Sequence, residues 1–412
     1  MNEPKRVGIV STWFERGAGY VSRQYKELLE KKYQVFVYAR GGEYAKGDPT
    51  WDTPEVTWGR RNSISSTAID LRDFERWLDR NAIDVVFFNE QKWWDPILLC
   101  NRKGIPNGAY IDYYTEETIP IYGLHDFLIC NTKKHYQAFN WHKGAHYVPW
   151  GTDIDLFSPV KTREFVQEVL PHVVQRLKTK TVFFQSVGVV PYRKGTDLLL
   201  RAFEEVKDSK AHLLLHCQIN LRAELPKLSN LVDWLIESER LTLIEETVSA
   251  PGLYGLGDVY VYPSRLEGIG LTVPEALSCG LPVIVPNEGP MNEFVHEDCG
   301  IAINPVKYFT RADAYYWPQN EIDPGELASA MTEFVNGTRS LDDAKLSARR
   351  HAEATLDWSK NALGIVDIFG LESEHSKVAK ESAAELAIRY NRRRKVRLKE
   401  MIRRVPILRR LT

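Results

Sequence analysis

The sequence contains no apolar run that approaches the ~20 residues needed to cross a bilayer, so we expect no transmembrane helix. The first residues, MNEPKRVGIVSTWF, lack the apolar core and cleavage site of a signal peptide. The five cysteines are scattered and form no C-x-x-C pair, which excludes a disulfide framework and argues against a zinc ribbon. We therefore expect a cytoplasmic protein.

Metal-binding patterns are also missing. The ten histidines show no ligand spacing, and no D-x-D motif stands near the end of a predicted strand. We expect no bound metal and no cofactor.

The body of the chain has more acidic than basic residues, whereas its last residues are strongly basic. The last 24 residues, Arg389–Thr412, hold eleven Lys and Arg and one acid, whereas the whole chain has a net charge of −1. Leu398, Ile402 and Val405 recur there at helical spacing, as in basic helices that bind membrane surfaces. A solvated, disordered or partner-docking tail is the alternative. The acidic body and missing recognition motifs argue against nucleic acid as the main partner.

Short apolar runs alternate with helical patterns along the chain. Because the runs are continuously apolar, they predict parallel strands buried on both faces. One series comprises 6–11, 34–40, 84–89, 108–112 and 126–131, and a second comprises 181–188, 211–218, 258–264 and 281–286.

The two series predict an α/β chain with two Rossmann-like, doubly wound domains that face each other across a cleft. We place the first domain at 1–155, completed by about 355–372, and the second at 156–354, after an irregular polar link around 158–180. The basic tail, helical or disordered, is 373–412.

The segment EGIGLTVPE (267–275) follows a predicted strand and opens a helix. The glycines allow close approach of a ligand to the backbone, and the carboxylate of Glu275 suits two neighbouring hydroxyls. A capping box formed by Thr272 and Glu275 is the alternative.

The segment SVGVVPYRKGTDLLLRAF (186–203) carries Arg193 and Lys194 just before a helix. Two cations beside a helix N-terminus form a diphosphate site that needs no metal. A solvated basic loop is the alternative.

Three segments resemble glycosyltransferase family 4, the retaining enzymes of GT-B architecture. They are WGTDIDLFSP, RKGTDLLLRAF and PSRLEGIGLTVPEALSCGLPVIV, the last followed by EGPMNEFV. The resemblance covers about 148–365, and Trp358 resembles the point where the chain crosses back to the first domain.

The resemblance implies transfer of a hexose-type sugar, with retention, from a UDP- or GDP-linked donor. It implies that Glu267 contacts the sugar, that Glu275 holds the ribose, and that Lys194 with Arg193 binds the leaving diphosphate. The remaining donor-site positions are Gly188, Gly268, Ile269, Gly270 and Leu271.

The chain departs from the family pattern at several positions. Gly188-Val189 replaces a Gly-Arg pair, Ile269 replaces phenylalanine, and Gly289-Pro290 replaces Gly-Gly. No residue matches the first-domain histidine. Asp112 is the nearest candidate for a catalytic role there, with a turn cap as its alternative.

The acceptor is expected on the first domain, and a glycan or a lipid-linked cell-envelope acceptor would suit the basic tail, with peripheral attachment at the inner membrane face. Gly17, Gly19, Asn89 and Glu90 are the predicted acceptor or cleft residues. Eight of the eleven tryptophans lie at or before Trp150 and would stack on sugars or pack in the core.

Three other functions are compatible with such a fold. An epimerase or phosphorylase would use the same architecture, and a scaffold protein would bind without catalysis. The turn at Gly17 and Gly19 also suggests a dehydrogenase, although the third glycine of that motif is missing.

Overall fold

The computed structural model describes residues 3–60, 67–371 and 377–404, with side chains described to residue 397. The chain forms two compact units. The first domain comprises residues 1–131, 135–148 and 364–412, and the second comprises 132–134 and 149–363. The divisions therefore fall at 148/149 and 363/364, whereas the sequence placed them at 155/156 and 354/355.

The first domain contains a seven-stranded parallel sheet. Its strands are β1 (Arg6–Ser11), β2 (Gln34–Ala39), β3 (Val56–Trp58), β4 (Val85–Phe88), β5 (Asn107–Tyr110), β6 (Phe127–Cys130) and β7 (Ala145–Tyr147). They lie in the order β3-β2-β1-β4-β5-β6-β7, so the strand order reverses between β1 and β4. The connecting helices are α1 (Gly17–Leu29), α2 (Leu71–Arg80), α3 (Asp95–Lys103), a 3-10 helix (Ile119–Leu124) and α4 (Lys133–Phe139).

The second domain contains a six-stranded parallel sheet with the order β10-β9-β8-β11-β12-β13 and a separate antiparallel hairpin. Its strands are β8 (Thr181–Gly188), β9 (Ala211–Cys217), β10 (Leu241–Glu245), β11 (Val259–Val261), β12 (Val283–Pro286) and β13 (Gly300–Ile303), and the hairpin is β14 (Lys307–Phe309) with β15 (Gln319–Glu321).

Helices surround this sheet and complete the domain. They are α5 (Pro159–Val169), α6 (Pro171–Leu177), α7 (Thr196–Glu205), α8 (Leu221–Glu224), α9 (Ser229–Glu237), α10 (Thr272–Ser278), α11 (Pro324–Val335), α12 (Leu341–Thr355) and α13 (Trp358–Asn361), with 3-10 helices at Pro226–Leu228, Tyr254–Leu256 and Met291–Phe294.

Both sheets are buried on their two faces, as the continuous apolar runs predicted. Every residue of β4, β6, β9, β11 and β12 is buried. The link at 158–180 is not irregular, because α5 and α6 fill it. Pro159 and Pro171 stand in the first turns of these helices, where proline needs no hydrogen-bond donor.

Two passes of the chain lie side by side in the second domain. The backbone N–H of Thr152 donates to Leu356 at 2.7 Å, and the N–H of Trp358 donates to Thr152 at 3.1 Å. The rings of Trp150 and Trp358 pack with their centroids 4.6 Å apart. These contacts tie the segment that leaves the first domain to the segment that returns.

The C-terminal segment packs on the first domain as α14 (Ile365–Ile368) and α15 (Lys377–Arg404). Ala383, Ala387 and Asn391 on α15 are buried at spacings of four residues. Lys380 pairs with Asp126 at 2.5 Å. The helical form of the predicted tail is correct over this range, but its described part is docked rather than disordered. The side chains of Leu398, Ile402 and Val405 lie outside the described residues.

Candidate active site

The carboxyl ends of β8 and β11 bring two sequence-predicted segments together in the second domain. The strands pair in register, with Val259 opposite Phe183 and Tyr260 opposite Phe184. The strand order of the sheet reverses between them, which is where doubly wound folds bind ligands. The Arg193–Lys194 loop and the Glu267 segment therefore share one edge of the sheet.

The loop between β8 and α7 is fixed by backbone contacts. Gly195 has a φ of 69°, and a Cβ there would lie 2.0 Å from the carbonyl oxygen of Pro263, so a side chain would not fit. The amide of Gln185 donates to the carbonyl of Lys194 at 2.8 Å. Arg193 and Lys194 are therefore presented from a rigid turn, not from a solvated basic loop.

Arg265 connects this loop to two other segments. Its guanidinium donates to both carboxylate oxygens of Asp197 on α7, at 2.6 and 2.9 Å, and to Glu321 on β15 at 2.8 and 3.1 Å. It also donates to the carbonyl of Tyr192 at 2.5 Å and stacks on that ring at 4.1 Å. Sequence reasoning missed Arg265, because its partners lie 56 to 73 positions away.

Glu267 is the centre of a buried polar cluster. Its Oε1 accepts hydrogen bonds from Lys194 Nζ at 2.8 Å, Tyr262 Oη at 3.0 Å and Ser264 Oγ at 2.5 Å. Arg193 Nη1 lies 3.1 Å from the same oxygen. Oε2 accepts no hydrogen bond from any residue that the structure describes. One oxygen is therefore held from four sides and the other remains available to a ligand.

The cluster keeps Glu267 ionised. Burial, the largest single influence, raises its pKa, but the charges of Arg193 and Lys194 outweigh burial and hold the pKa at about 2. Burial, together with the positive charge of Arg193, lowers the pKa of Lys194 despite its carboxylate partner Glu267. The charge of Glu267 raises the pKa of Arg193. Two cations thus share one carboxylate.

Glu275 lies in the first turn of α10 and faces Tyr254. The phenol donates to Glu275 Oε2 at 2.5 Å. Leu271 occupies the N-cap position of α10 without any side-chain capping bond, so the capping box of Thr272 and Glu275 is wrong. Burial raises the pKa of Glu275 to about 7. Among the residues that the structure describes, no backbone N–H group donates to its carboxyl group.

The remaining donor-site positions lie along the same edge. Gly188 ends β8, and the turn Gly268-Ile269-Gly270-Leu271 connects Glu267 to α10. Ile269 is 5% exposed, so it is part of the buried core of this turn.

The predicted residues of the first domain also follow neighbouring strands. Asn89 and Glu90 follow β4, and Asp112 lies just beyond β5. Arg40, which the sequence did not suggest, follows β2, is 3% exposed and donates to the carbonyls of Asn89 and Glu90 at 2.7 and 3.0 Å. Because the strand order is β2-β1-β4-β5, these side chains lie at one edge of the sheet.

Asp112 and Glu90 form a hydrogen-bonded acidic pair. Burial, followed by the charge of Glu90 and a hydrogen bond with it, raises the pKa of Asp112 well above its usual range. Glu90 has a φ of 50°, in the left-handed region, and such strain is concentrated at functional sites. The carboxyl group of Asp112 is therefore easier to protonate than an ordinary aspartate.

The other residues predicted for the first-domain site lie in helix α1 or in the core. Gly17 and Gly19 lie inside the first turn of α1 rather than in a turn before it. A Cβ at Gly19 would lie 2.2 Å from the carbonyl oxygen of Phe14, so its role is close packing. Asn89 is 1% exposed, and its amide donates to Ala18 and Ser22. Trp13, Trp93 and Trp94 are buried, as the core-packing alternative predicted.

Metal coordination finds no support in the described ranges. Residues 3–60, 67–371 and 377–397 contain no group of three or more His, Cys, Asp or Glu side chains placed to hold an ion.

Comparison with known proteins extends these observations. The family model described as "Glycosyl transferases group 1" matches residues 179–317, within the second domain. A curated relative, the GDP-mannose-dependent monoacylated alpha-(1-6)-phosphatidylinositol monomannoside mannosyltransferase of Corynebacterium glutamicum, is 26% identical over 234 residues, or 54% of this chain. This chain spans about half the length of that relative, 55%.

Solved structures resemble about nine-tenths of the chain. A glycosyltransferase from Rickettsia africae superposes with a TM-score of 0.71 and 14% identity, covering 90% of this chain and 100% of that one. Anabaena HepE, solved with UDP-glucose, gives a TM-score of 0.67 and 14% identity, covering 89% and 99%. This chain has a glycosyltransferase fold. The predicted fold class, two Rossmann-like domains with a helical C-terminal segment, is confirmed.

Proposed function

We propose that this protein is a retaining glycosyltransferase of family 4, which transfers a hexose-type sugar from a UDP- or GDP-linked donor to an acceptor hydroxyl. The observation that carries the proposal is Glu267, whose Oε1 is held by four donors while Oε2 accepts none from the described residues. A carboxylate fixed in this way, beside two cations at the carboxyl edge of a parallel sheet, suits a sugar joined to a diphosphate.

Each donor-site residue has a distinct task in this proposal. Arg193 and Lys194 bring two positive charges against one carboxylate, so the cluster keeps a net charge of +1 for the diphosphate. Glu267 Oε2 accepts a hydrogen bond from a sugar hydroxyl. Glu275 accepts hydrogen bonds from the ribose hydroxyls, and its ionised form does so best.

In the proposed transfer, the bond between the sugar and the diphosphate breaks while the acceptor hydroxyl attacks on the same face, and the proton of that hydroxyl passes to the leaving diphosphate. Lys194 and Arg193 stabilise the negative charge that develops on the leaving diphosphate, which is the main catalytic contribution. The proposal needs no protein nucleophile and no metal.

The acceptor is proposed to bind at the strand ends of the first domain, beside Asp112 and Glu90. A carboxyl oxygen of this pair would accept a hydrogen bond from the acceptor hydroxyl. A glycan or a lipid-linked glycan fits this proposal, and the similarity to a phosphatidylinositol monomannoside mannosyltransferase supports it.

The first experiment is a thermal-shift panel of UDP-, GDP- and ADP-sugars with wild type and Glu267→Gln. At 100 times its Kd, a donor should stabilise the fold by about 2.7 kcal/mol. We expect one nucleotide class to raise the Tm of wild type, and a smaller shift in the variant. Glu237→Gln, an exposed second-domain residue, is the matched control.

Product analysis then separates the proposal from its rivals. NMR of the transferred sugar should show the anomeric configuration of the donor. Interconversion of free donor without transfer would indicate an epimerase, and phosphate-dependent cleavage would indicate a phosphorylase. Donor binding without any turnover would indicate a scaffold protein.

A further inference from the structure

The exposed side of α15 carries a compact basic surface, which we call the outer face: Ile388, Arg389, Arg392, Arg393, Val396 and Arg397. All six side chains are exposed. Arg389, Arg392 and Val396 lie on the side of the helix opposite the buried stripe of Ala383, Ala387 and Asn391, and Ile388 and Arg397 lie at the two margins of the outer face. It combines four arginines with two apolar residues, Ile388 and Val396, which are 54% and 50% exposed.

Much of this charge is unneutralised. Arg392 and Arg397 have no ion-pair partner among the residues that the structure describes. Arg389 pairs with Glu385 of the same helix at 3.2 Å, and Arg393 pairs with Glu117. At least two of the four charges therefore remain for a partner of opposite sign.

The outer face is held on a rigid base. Arg394 stacks on the ring of Trp93 at 4.2 Å and donates to the carbonyl of Lys92 at 2.5 Å. Lys395 pairs with Asp95 at 3.3 Å. The helix is thus anchored to the segment that follows β4, only a few residues beyond Glu90.

We propose that the outer face of α15 binds an anionic lipid surface. Its arginines suit lipid phosphates, and Ile388 and Val396 suit the apolar layer beneath them. The phosphates of a nucleic acid would also pair with the arginines, but a nucleic acid offers no apolar layer for the exposed aliphatic side chains. Because the helix is already ordered on the first domain, binding has little ordering entropy to overcome.

The contacts between α15 and the segment after β4 bear on which acceptor the protein uses. If the acceptor binds beside Glu90 and Asp112, as the proposed function holds, a lipid-bound outer face keeps that strand end near the membrane. The acceptor would then be lipid-linked. This last step rests on the proposed function, whereas lipid binding by the outer face does not.

Sedimentation with vesicles tests the proposal on the full chain. The vesicles are phosphatidylcholine alone and phosphatidylcholine mixed with phosphatidylglycerol. We expect wild type to pellet only with the anionic vesicles, and the triple variant Arg389→Gln/Arg392→Gln/Arg397→Gln to bind about 100-fold more weakly. The matched control, Arg201→Gln/Lys207→Gln/Lys210→Gln, removes three exposed cations from the second domain and should bind as wild type does.

Several outcomes would overturn the proposal. They are equal binding by wild type and the triple variant, binding to neutral vesicles of the same strength, or binding of a fluorescent oligonucleotide but not of vesicles. The nucleotide-sugar thermal shift is measured separately on the same proteins. Vesicle binding without any thermal shift by a nucleotide sugar would support lipid binding by the outer face and reject the proposed function. A thermal shift without vesicle binding would support the proposed function and reject lipid binding by the outer face.

Discussion

Two glutamates eight positions apart in the second domain have opposite pKa shifts. Cations around Glu267 outweigh its burial and hold its pKa at about 2, whereas burial raises the pKa of Glu275 to about 7. Glu267 is therefore ionised at every working pH. Glu275 changes charge near neutrality, and its hydrogen bond from Tyr254 is present without any ligand.

Glu275 should make donor binding depend on pH. Its carboxylate is about one-tenth ionised at pH 6 and about nine-tenths ionised at pH 8, given a pKa of about 7. We expect the affinity for a nucleotide sugar to rise about tenfold over this interval in calorimetric titrations. Nucleotide sugars are used because their diphosphate does not titrate there. A Glu275→Gln variant with the same pH slope as wild type would contradict this assignment.

The same residue should lower the stability of the ligand-free protein at high pH. The folded pKa of about 7 exceeds the reference value of 4.5, so the free energy of unfolding falls as pH rises between these values. The loss is about 3 kcal/mol at most. Glu275→Gln should therefore have a higher Tm than wild type at pH 8. This difference in Tm should disappear below about pH 5. Glu237→Gln should show no such trend.

Glu267 should behave in the opposite way. Its folded pKa lies below the reference value, so it stabilises the fold above pH 4.5 and that stability is lost as pH falls toward 2. At pH 7, Glu267→Gln leaves Arg193 and Lys194 without their shared counter-charge. We expect a loss of about 3 kcal/mol in urea unfolding. A variant as stable as wild type would show that the cluster does not depend on this charge.

Among the elements, the strands with long apolar runs were predictable and the short or polar ones were not. The runs at 6–11, 34–40 and 181–188 match β1, β2 and β8 closely. The missed strands include VTW and AHY, which have three residues each and are no more than half-buried. Such strands exist because neighbours pair with them, and a local pattern does not contain that information.

The residues of the candidate site likewise fall into a predicted group and a missed group. Arg193, Lys194 and Glu267 were predicted from local motifs, and the structure brings them together around one oxygen. Tyr254 and Arg265 were missed, because each acts through a partner at least 21 positions away. The serine of PSRLEG was visible in the motif, but its hydrogen bond to Glu267 was not predicted.

Arg265 should control how well the loop between β8 and α7 binds diphosphate. Lysine cannot reproduce the paired contact with Asp197 or the stacking on Tyr192. We expect Arg265→Lys to weaken nucleotide-sugar binding about tenfold, a loss of about 1.4 kcal/mol. Arg222→Lys, which alters an ion pair with Asp233, is the control and should bind normally. An unchanged Kd for Arg265→Lys would mean that the loop holds its shape without the guanidinium.

At the scale of the whole molecule, the first domain is completed by residues from both ends of the chain. Phe369 packs on Phe87 and Phe127, and Tyr33 donates to the carbonyl of Val366 at 2.7 Å. The helix α15 then covers Asp126 and the segment from Lys92 to Asp95. The stability of this domain therefore depends on residues more than 200 positions from its sheet.

Removal of residues 372–412 should loosen the first domain and leave the second intact. The truncated protein loses the contacts of α15 with Trp93, Asp95 and Asp126 but keeps α14. Hydrogen exchange should become faster at 92–103 and 117–126, with no change in α7 or α10. Equal protection of full-length and truncated proteins would show that α15 contributes nothing to the first domain.

All five cysteines are buried. Burial raises the pKa of the Cys100 thiol to about 12 and that of Cys217 to about 11, so neither forms the reactive thiolate at neutral pH. A single cysteine introduced at Val189, which is 46% exposed and precedes the Arg193–Lys194 loop, would therefore react selectively with a maleimide dye. The native thiols would not need to be removed first, and fluorescence at that position would report donor arrival in real time.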